Sequence, residues 1–174
     1  MKVLVVVDMQ NDFIDGSLGT AEAEAVVPAV MERIRSFEGR VIATRDTHSE
    51  DYLNTEEGRH LPVIHCVKGT EGWKIRREID ALLDEKAAVR IDKLTFGSVE
   101  LGSYVKELDD EAGVEEITLI GVCTDICVIS NALLLKANLP EAEIRVDASC
   151  CAGVTPESHE RALEAMKSCQ IDIV

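Results

Sequence analysis

The most informative part of the sequence is Ile117-Thr118-Leu119-Ile120-Gly121-Val122-Cys123-Thr124-Asp125-Ile126-Cys127-Val128. Its first four residues form a short apolar run that is typical of a buried strand, and the glycine and Thr-Asp pair that follow are typical of a tight turn into a helix. A cysteine at a helix start meets the positive end of the helix dipole and free backbone N–H groups, which favour its thiolate. Cys127 is therefore the candidate nucleophile, although a cysteine in an apolar helix is more often a buried packing residue.

Strands and helices alternate on both sides of this turn. Apolar runs predict strands at residues 2–7, 40–44, 89–91, 117–120, 143–146 and 170–174. Helical spacing predicts helices at 21–37, 73–85, 100–112, 124–138 and 156–168, with a long irregular segment at 49–72. Asp147 is expected to end its strand, and Pro28 fits its helix only if it lies in the first turn. The alternation predicts a three-layer α/β fold, with a doubly wound, mostly parallel sheet of about six strands in one domain spanning residues 1–174.

Composition narrows the classes of protein that the chain can belong to. The 33 acidic and 18 basic residues give a net charge of −15, which disfavours nucleic-acid and anionic-membrane partners. The apolar run at the N-terminus is too short for a signal peptide or a membrane span, so we expect a cytoplasmic protein. The six cysteines fit neither a compact metal motif nor a secreted disulfide scaffold. The helix at 124–138 is apolar nearly all round, which favours a central position or contact within a homo-oligomer.

Three chemically active side chains follow predicted strands. Asp8, Lys93 and Cys127 all come at or just beyond a strand's carboxyl end, and in parallel sheets these ends share the edge where ligands bind. A nearby aspartate can take the thiol proton, a lysine can stabilise both negative charges, and backbone N–H groups at the Cys127 turn can form an oxyanion hole. Two ordinary alternatives are an aspartate that braces the following loop and a solvated lysine.

A second group of polar residues follows the strand at 40–44. Asp46 and His48 form an Asp-x-His pair at its end, while Glu57, with Glu56 beside it, and His65 come from the long irregular segment. Mixed nitrogen and oxygen ligands suit zinc, iron or manganese. The spacing matches no compact motif, so the residues alone leave a divalent metal and a polar loop network as equal alternatives.

Five segments, spread over almost the whole chain, together resemble a known family. They are Val7-Asp8-Met9-Gln10-Asn11-Asp12-Phe13, Arg45-Asp46-x-His48, His65-Cys66-x-x-Gly69-Thr70, Lys93 with Phe96-Gly97, and Gly121-Val122-Cys123-Thr124-Asp125-Ile126-Cys127-Val128. In this order they resemble the isochorismatase-like cysteine hydrolases, and most of all the nicotinamidase-related branch. The same family has a Rossmann-like parallel sheet.

This resemblance implies a catalytic triad. Asp8 would be the general base, Lys93 its charged partner, and Cys127 the nucleophile that forms a thioester with the substrate. The resemblance also implies a cis peptide bond between Val122 and Cys123, with the N–H groups of Cys123 and Cys127 forming the oxyanion hole. Because siderophore-pathway isochorismatases lack a cysteine at the nucleophile position, Cys127 favours amide cleavage over vinyl-ether hydrolysis.

The resemblance also implies a substrate site and a metal. Phe13 would pack on the substrate ring, with Phe96 as a second substrate-binding residue, and a divalent metal would hold the ring nitrogen. The metal ligands would be Asp46, His48 and His65, with Glu57 as the best-placed fourth ligand.

The implied reaction is the hydrolysis of nicotinamide or pyrazinamide to the acid and ammonia, with no organic cofactor. Three alternatives stay open. The chain could hydrolyse another small amide or carbamoyl compound without a metal, it could be a non-catalytic binding or redox protein on the same fold, or it could hold a stored or structural metal.

Overall fold

Six parallel strands form one sheet in the computed structural model, which describes all residues from Met1 to Val174. The strands are β1 (Lys2–Val7), β2 (Arg40–Asp46), β3 (Val89–Lys93), β4 (Glu116–Val122), β5 (Glu143–Ala152) and β6 (Asp172–Ile173). Their order across the sheet is β3-β2-β1-β4-β5-β6, and every neighbouring pair is parallel. The predicted doubly wound parallel sheet is therefore confirmed. The strand order reverses between β1 and β4, and the crevice outside such a reversal is where open α/β sheets bind ligands.

Helices cover both faces of this sheet. They are α1 (Asn11–Ile14), α2 (Ala21–Ser36), α3 (Glu56–His60), α4 (Arg77–Glu85), α5 (Val99–Ala112), α6 (Ile129–Asn138) and α7 (Pro156–Ser168). The buried side chains of α2 and α4 join the core on one face, and those of α5, α6 and α7 join the core on the other.

The position of β1 in the sheet explains why its sequence is apolar from Val3 to Val7. Val3, Val5 and Val7 point into the core under α5 to α7, while Leu4 and Val6 point into the core under α2 and α4. A strand that is buried on both faces needs an apolar residue at every position. The polar residue that follows it therefore lies at the edge of the sheet.

Several predicted boundaries differ from the observed ones. Asp147 does not end its strand, because β5 continues to Ala152 after a register shift against β4 between Leu119 and Gly121. The helix predicted from Trp73 begins only at Arg77. The last strand is shorter than predicted, and β2, β3 and β4 each extend two residues further at their carboxyl ends, towards the site.

Two other predictions about local structure were wrong. The segment at 49–72 is not irregular throughout, since it contains a 3₁₀ turn (Tyr52–Asn54) and α3. Pro28 lies in the middle of α2 rather than in its first turn. Its position is exposed, so water can hydrate the carbonyl oxygen that a proline leaves without an amide donor.

The apolar segment predicted as a helix at 124–138 starts as a π-helical turn (Thr124–Val128) and continues as α6. α6 packs against α5, α7 and β5, and this central position accounts for much of its apolar surface. Leu133 is 38% exposed, and the homo-oligomer stays a prediction. No helix combines the length and the apolar character that crossing a membrane requires.

Candidate active site

The side chains of Asp8, Lys93 and Cys127 meet at the carboxyl edge of the sheet. Lys93 Nζ lies 2.7 Å from Asp8 Oδ2 and 3.4 Å from Cys127 Sγ. All three residues are buried, with at most 5% of their surface exposed. The structure thus brings together the three residues that the sequence predicted as a triad. The ammonium group lies within reach of both the carboxylate and the sulfur.

The position of Asp8 is fixed by its backbone and by β2. Its φ of 48° turns the chain sharply as it leaves β1, a conformation that Asp and Asn tolerate better than most residues. Thr44 Oγ1 donates a hydrogen bond of 2.7 Å to Asp8 Oδ1. Burial raises the pKa of the Asp8 carboxyl, and the charge of Lys93 opposes this shift only in part. A carboxylate with a raised pKa is a stronger base, which suits it to accept a thiol proton.

Lys93 compensates the negative charge of the site. Burial by itself would lower the pKa of the Lys93 ammonium, but the neighbouring carboxylates, chiefly Asp8, raise it above its usual value. A third contact, of 3.1 Å, joins Lys93 Nζ to Oδ1 of Asp46, one of the predicted metal ligands. The lysine is therefore charged and fully engaged, and the alternative of a solvated side chain does not apply.

Cys127 projects from the π-helical turn that follows β4. The peptide bond between Val122 and Cys123 is cis, as the resemblance implies. Gly121 has φ 115°, and a Cβ at this position would lie 2.1 Å from the carbonyl oxygen of Val7, so the turn leaves no room for a side chain. The helix start favours a thiolate at Cys127. Burial acts against it, because burial raises the pKa of the Cys127 thiol well above its usual value, while the nearby Asp8 carboxylate raises it further and the Lys93 ammonium lowers it. A nearby base therefore assists the sulfur.

The four predicted metal ligands form one cluster beside the triad. One ligand atom from each residue lies within 4.8 Å of the other three. Asp46 Oδ2 is 2.9 Å from His48 Nε2 and 3.5 Å from His65 Nε2, and Glu57 Oε1 is 3.6 Å from His48 Nε2. α3, whose N-cap is Thr55, carries Glu57 into this cluster. Glu56, the alternative considered from the sequence, points away and pairs with Arg59.

Two observations show that these residues fit a divalent cation. His48 Nε2 is buried and makes no hydrogen bond. His65 Nδ1 lies 2.8 Å from the carbonyl oxygen of Val63, and because a carbonyl only accepts, Nδ1 carries a proton, which leaves Nε2 as the ligand atom of the neutral ring. A histidine ligand held in this way by a backbone carbonyl is the usual outer-sphere arrangement at metal sites.

The charges of the cluster are also those of a metal site. Burial tends to raise the pKa of Asp46, but contacts with His48, His65 and Lys93 together hold it well below its usual range. Burial and the Asp46 carboxylate both raise the pKa of Glu57. Two imidazoles and two carboxylates in one small volume are a ligand set that suits zinc, manganese or iron.

A buried glutamine holds the cluster in place. Gln10 Oε1 accepts from the backbone N–H of Asp46 at 2.7 Å, and Gln10 Nε2 donates to the carbonyl oxygens of Asp46 and Trp73, each at 2.8 Å. Asp12 Oδ2 accepts from the backbone N–H of Cys66 at 2.7 Å. The segment after β1 therefore fixes both the strand end that carries Asp46 and the loop that carries His65.

A cavity of about 200 Å³ lies above the triad and beside the cluster. Cys127, Cys123, Asp46, Glu57 and His65 line its polar side. The apolar walls are Phe13, Leu18, Leu61, Phe96, Ile126 and Val154. The two predicted substrate-binding residues, Phe13 and Phe96, both lie in these walls. The cavity is lined mostly by apolar side chains, with Cys127 and three residues of the cluster among its polar lining.

Sequence reasoning missed several of these residues. Leu18, Leu61 and Val154 come from three different loops, and nothing in their local sequence marks them as cavity walls. Asn131 is a buried polar residue in an otherwise apolar helix, which is the one sequence signal that could have pointed to it, whereas Gln10 stands among polar residues. Their roles depend on contacts across the fold.

Comparisons with known proteins agree with this geometry. A sequence model of the isochorismatase domain matches residues 2–174. The nicotinamidase/pyrazinamidase of Mycobacterium tuberculosis is 29% identical over 185 residues, covering 100% of this chain and 98% of that protein. An uncharacterized isochorismatase family protein, PncA, of Bacillus subtilis is 31% identical, covering 93% and 92%. The crystal structure of the pyrazinamidase of Pyrococcus horikoshii in complex with zinc superposes with a TM-score of 0.80 at 32% identity, covering 99% of this chain and 98% of that one.

Proposed function

We propose, on the premise that the chain belongs to the isochorismatase family, that it is a cysteine amidohydrolase that converts nicotinamide to nicotinic acid and ammonia. Its relatives indicate a hydrolase that acts on the C–N bond of amides. The observation that carries the proposal is the chain of contacts from Asp8 Oδ2 through Lys93 Nζ to Cys127 Sγ. Cys127 also lines the cavity.

In the first half of the reaction, Cys127 attacks the carboxamide. Asp8 takes the proton from Sγ as the sulfur bonds to the carbonyl carbon, and the C=O electron pair moves onto the oxygen. The N–H groups of Cys123 and Cys127 donate to this oxyanion. Asp8 then returns the proton to the amide nitrogen, the C–N bond breaks, and ammonia leaves behind a thioester.

In the second half, water replaces the sulfur. Asp8 removes a proton from the water as its oxygen attacks the thioester carbon, and the same proton passes to the departing sulfur. The carboxylic acid is released and the thiol is restored. Lys93 remains charged throughout, and its position stabilises whichever of Asp8 and Cys127 is negative at each step.

The rest of the site suits a small aromatic amide. The cavity is smaller than the ~300–1,000 Å³ of pockets that take drug-sized ligands, and its walls are mostly apolar. Asp46, His48, Glu57 and His65 would hold a divalent cation at one side of it. When bound, this cation supplies a Lewis acid for a ring nitrogen of the substrate, which would fix the carboxamide over Cys127.

The test is a panel of substrates with chromatographic identification of the acid product. Both the metal-free protein and the protein with added zinc or manganese should hydrolyse nicotinamide and pyrazinamide. The added metal should raise the rate. Benzamide has the same shape but no ring nitrogen, so it should lose the benefit of the metal. Equal turnover of benzamide and nicotinamide, or turnover confined to non-aromatic amides and carbamoyl compounds, would contradict the proposed substrate.

A further inference from the structure

Asn131, on α6 one turn after Cys127, contacts both the turn that carries Cys127 and the loop that follows Lys93. It is fully buried. Its Nδ2 donates to the carbonyl oxygen of Cys127 at 2.8 Å and to that of Phe96 at 3.2 Å, and its Oδ1 accepts from the backbone N–H of Ser98 at 2.8 Å. A single amide group therefore joins the turn of Cys127 to the loop that follows Lys93.

The loop at 94–98 has few other means of staying in place. Leu94 is 75% exposed and Phe96 is 46% exposed, so its own side chains contribute little burial. One hydrogen bond fixes the start of the loop: the N–H of Thr47 donates to the carbonyl oxygen of Lys93 at 2.9 Å. Its end is held at Ser98, whose N–H is bonded to Asn131 and whose Oγ caps α5 by accepting from Leu101.

The close approach of loop and helix depends on Gly97 as well. A Cβ at this position would lie 3.1 Å from the carbonyl oxygen of Ser130, the residue before Asn131. The loop therefore lies directly on the first turn of α6. Three of the four hydrogen bonds that an amide side chain can make are satisfied here, and each goes to the backbone of one of the two segments.

We propose that Asn131 is a positioning residue that fixes Cys127 Sγ relative to Lys93 and holds Phe96 at the cavity wall. The proposal rests on the proposed function for its kinetic readout. Asn131 touches no reacting atom, and it acts through the backbone of the residues that do. Displacements of about 1 Å in reacting groups can cost ~10²-fold in rate, so a loosened turn should be visible in turnover.

Two substitutions and a matched control test this role. Asn131→Ala removes all three bonds, while Asn131→Asp keeps the acceptor for Ser98 and removes the amide donors. The control is Asn138→Ala, seven residues along the same helix. Asn138 Nδ2 also donates to the carbonyl four residues earlier, at 2.8 Å to Leu134, but it is exposed and makes no hydrogen bond to the loop at 94–98.

Two readouts are measured on each variant. The first is kcat and KM for nicotinamide, normalised to the folded fraction from thermal melting. The second is the rate of alkylation of Cys127 by iodoacetamide, from the mass of its peptide. Exposed Cys169 serves as the internal reference. Alkylation also needs the Sγ proton to move towards Asp8, so it should slow when the sulfur is misplaced.

We expect Asn131→Ala and Asn131→Asp to lower kcat/KM by ~10- to 100-fold, mostly through kcat, and to slow Cys127 alkylation relative to Cys169. Asn138→Ala should match the wild type in both. Two results would overturn the proposal and make Asn131 a purely structural residue. The first is that the folded fraction of both variants has the wild-type kcat and alkylates Cys127 at the wild-type rate or faster. The second is that neither Asn131 variant folds. If wild-type protein leaves nicotinamide intact, the proposed function fails, and the alkylation rates still decide the role of Asn131.

Discussion

Lys93 Nζ and Asp8 Oδ2 lie 2.7 Å apart, and their side chains are only 1% and 0% exposed. Breaking a buried ion pair from one side leaves an unpaired charge, which costs about 3–5 kcal/mol. Lys93→Met should therefore lower the free energy of unfolding in urea by about this amount. Lys2→Met removes an exposed partner of Glu116 and should stay within about 1 kcal/mol of the wild type. Equal losses for the two variants would show that the buried pair has no special energetic weight.

The role of Asp8 as general base is tested by Asp8→Asn. Asparagine has the same shape, tolerates the φ of 48°, and still accepts the hydrogen bond from Thr44. Lys93 loses the Asp8 charge but keeps Asp46 at 3.1 Å, so the protein should still fold, with reduced stability. Without a base for the Sγ proton, kcat on the amide substrate should fall by ~10²–10⁴-fold. Asp15→Asn, a half-exposed position later in the same segment, should keep wild-type kcat. A variant with normal kcat and reduced stability would make Asp8 a structural residue instead.

The metal cluster makes a prediction that separates two adjacent glutamates. Glu57 belongs to the cluster, whereas Glu56 is exposed and pairs with Arg59. Glu57→Ala should weaken zinc or manganese binding by at least the ~10–100-fold that loss of an outer-sphere partner costs, as measured by calorimetry on metal-free protein. Glu56→Ala should bind like the wild type. Identical affinities in all three proteins would remove Glu57 from the ligand set.

Gly121 and Gly113 both have positive φ, but their surroundings differ. A Cβ at Gly121 would lie 2.1 Å from the Val7 carbonyl oxygen, whereas one at Gly113 would meet nothing within 4 Å. Gly113→Ala should therefore cost only the backbone strain of an L-residue at φ 70° and ψ 118°, about 1–3 kcal/mol. Gly121→Ala should cost far more and displace the Cys127 turn. Circular dichroism during urea unfolding measures both, and similar midpoints for the two variants would be unexpected.

The sheet could be predicted because burial leaves a plain trace in the sequence. β1 is apolar from Val3 to Val7, the polar Asp8 follows it directly, and the polar Asp46 ends β2. The boundaries that failed are those where backbone pairing continues under polar side chains. β5 runs through the partly exposed Asp147 because its carboxyl end still pairs with Gly121 and Val122 of β4. Polarity alone cannot signal such a continuation.

The start of α4 failed for a different reason. Trp73 and Ile75 fit a helical spacing, but Gln10 bridges to Ile75, and the N–H of Arg76 donates to the carbonyl oxygen of Met9. These contacts come from more than 60 positions away along the chain, and no local pattern contains them. Tertiary pairing overrides local propensity here.

The candidate site could be predicted as far as its residues follow strands. Asp8 follows β1 directly, Lys93 and Asp46 end β3 and β2, and parallel strand ends meet at one edge. The surroundings of Cys127 could not be predicted in this way. A helix start favours a thiolate, whereas burial, which only the structure provides, raises the pKa of the thiol.

Cys127 is the proposed nucleophile that cleaves the amide bond. The most direct measurement is the initial rate of ammonia release from nicotinamide by the wild type and by Cys127→Ala, with Cys169→Ala as a control for loss of a thiol. Wild type and Cys169→Ala should release ammonia at equal rates, and Cys127→Ala should release none above background while it keeps the wild-type melting temperature. Ammonia release by folded Cys127→Ala at the wild-type rate would contradict the account.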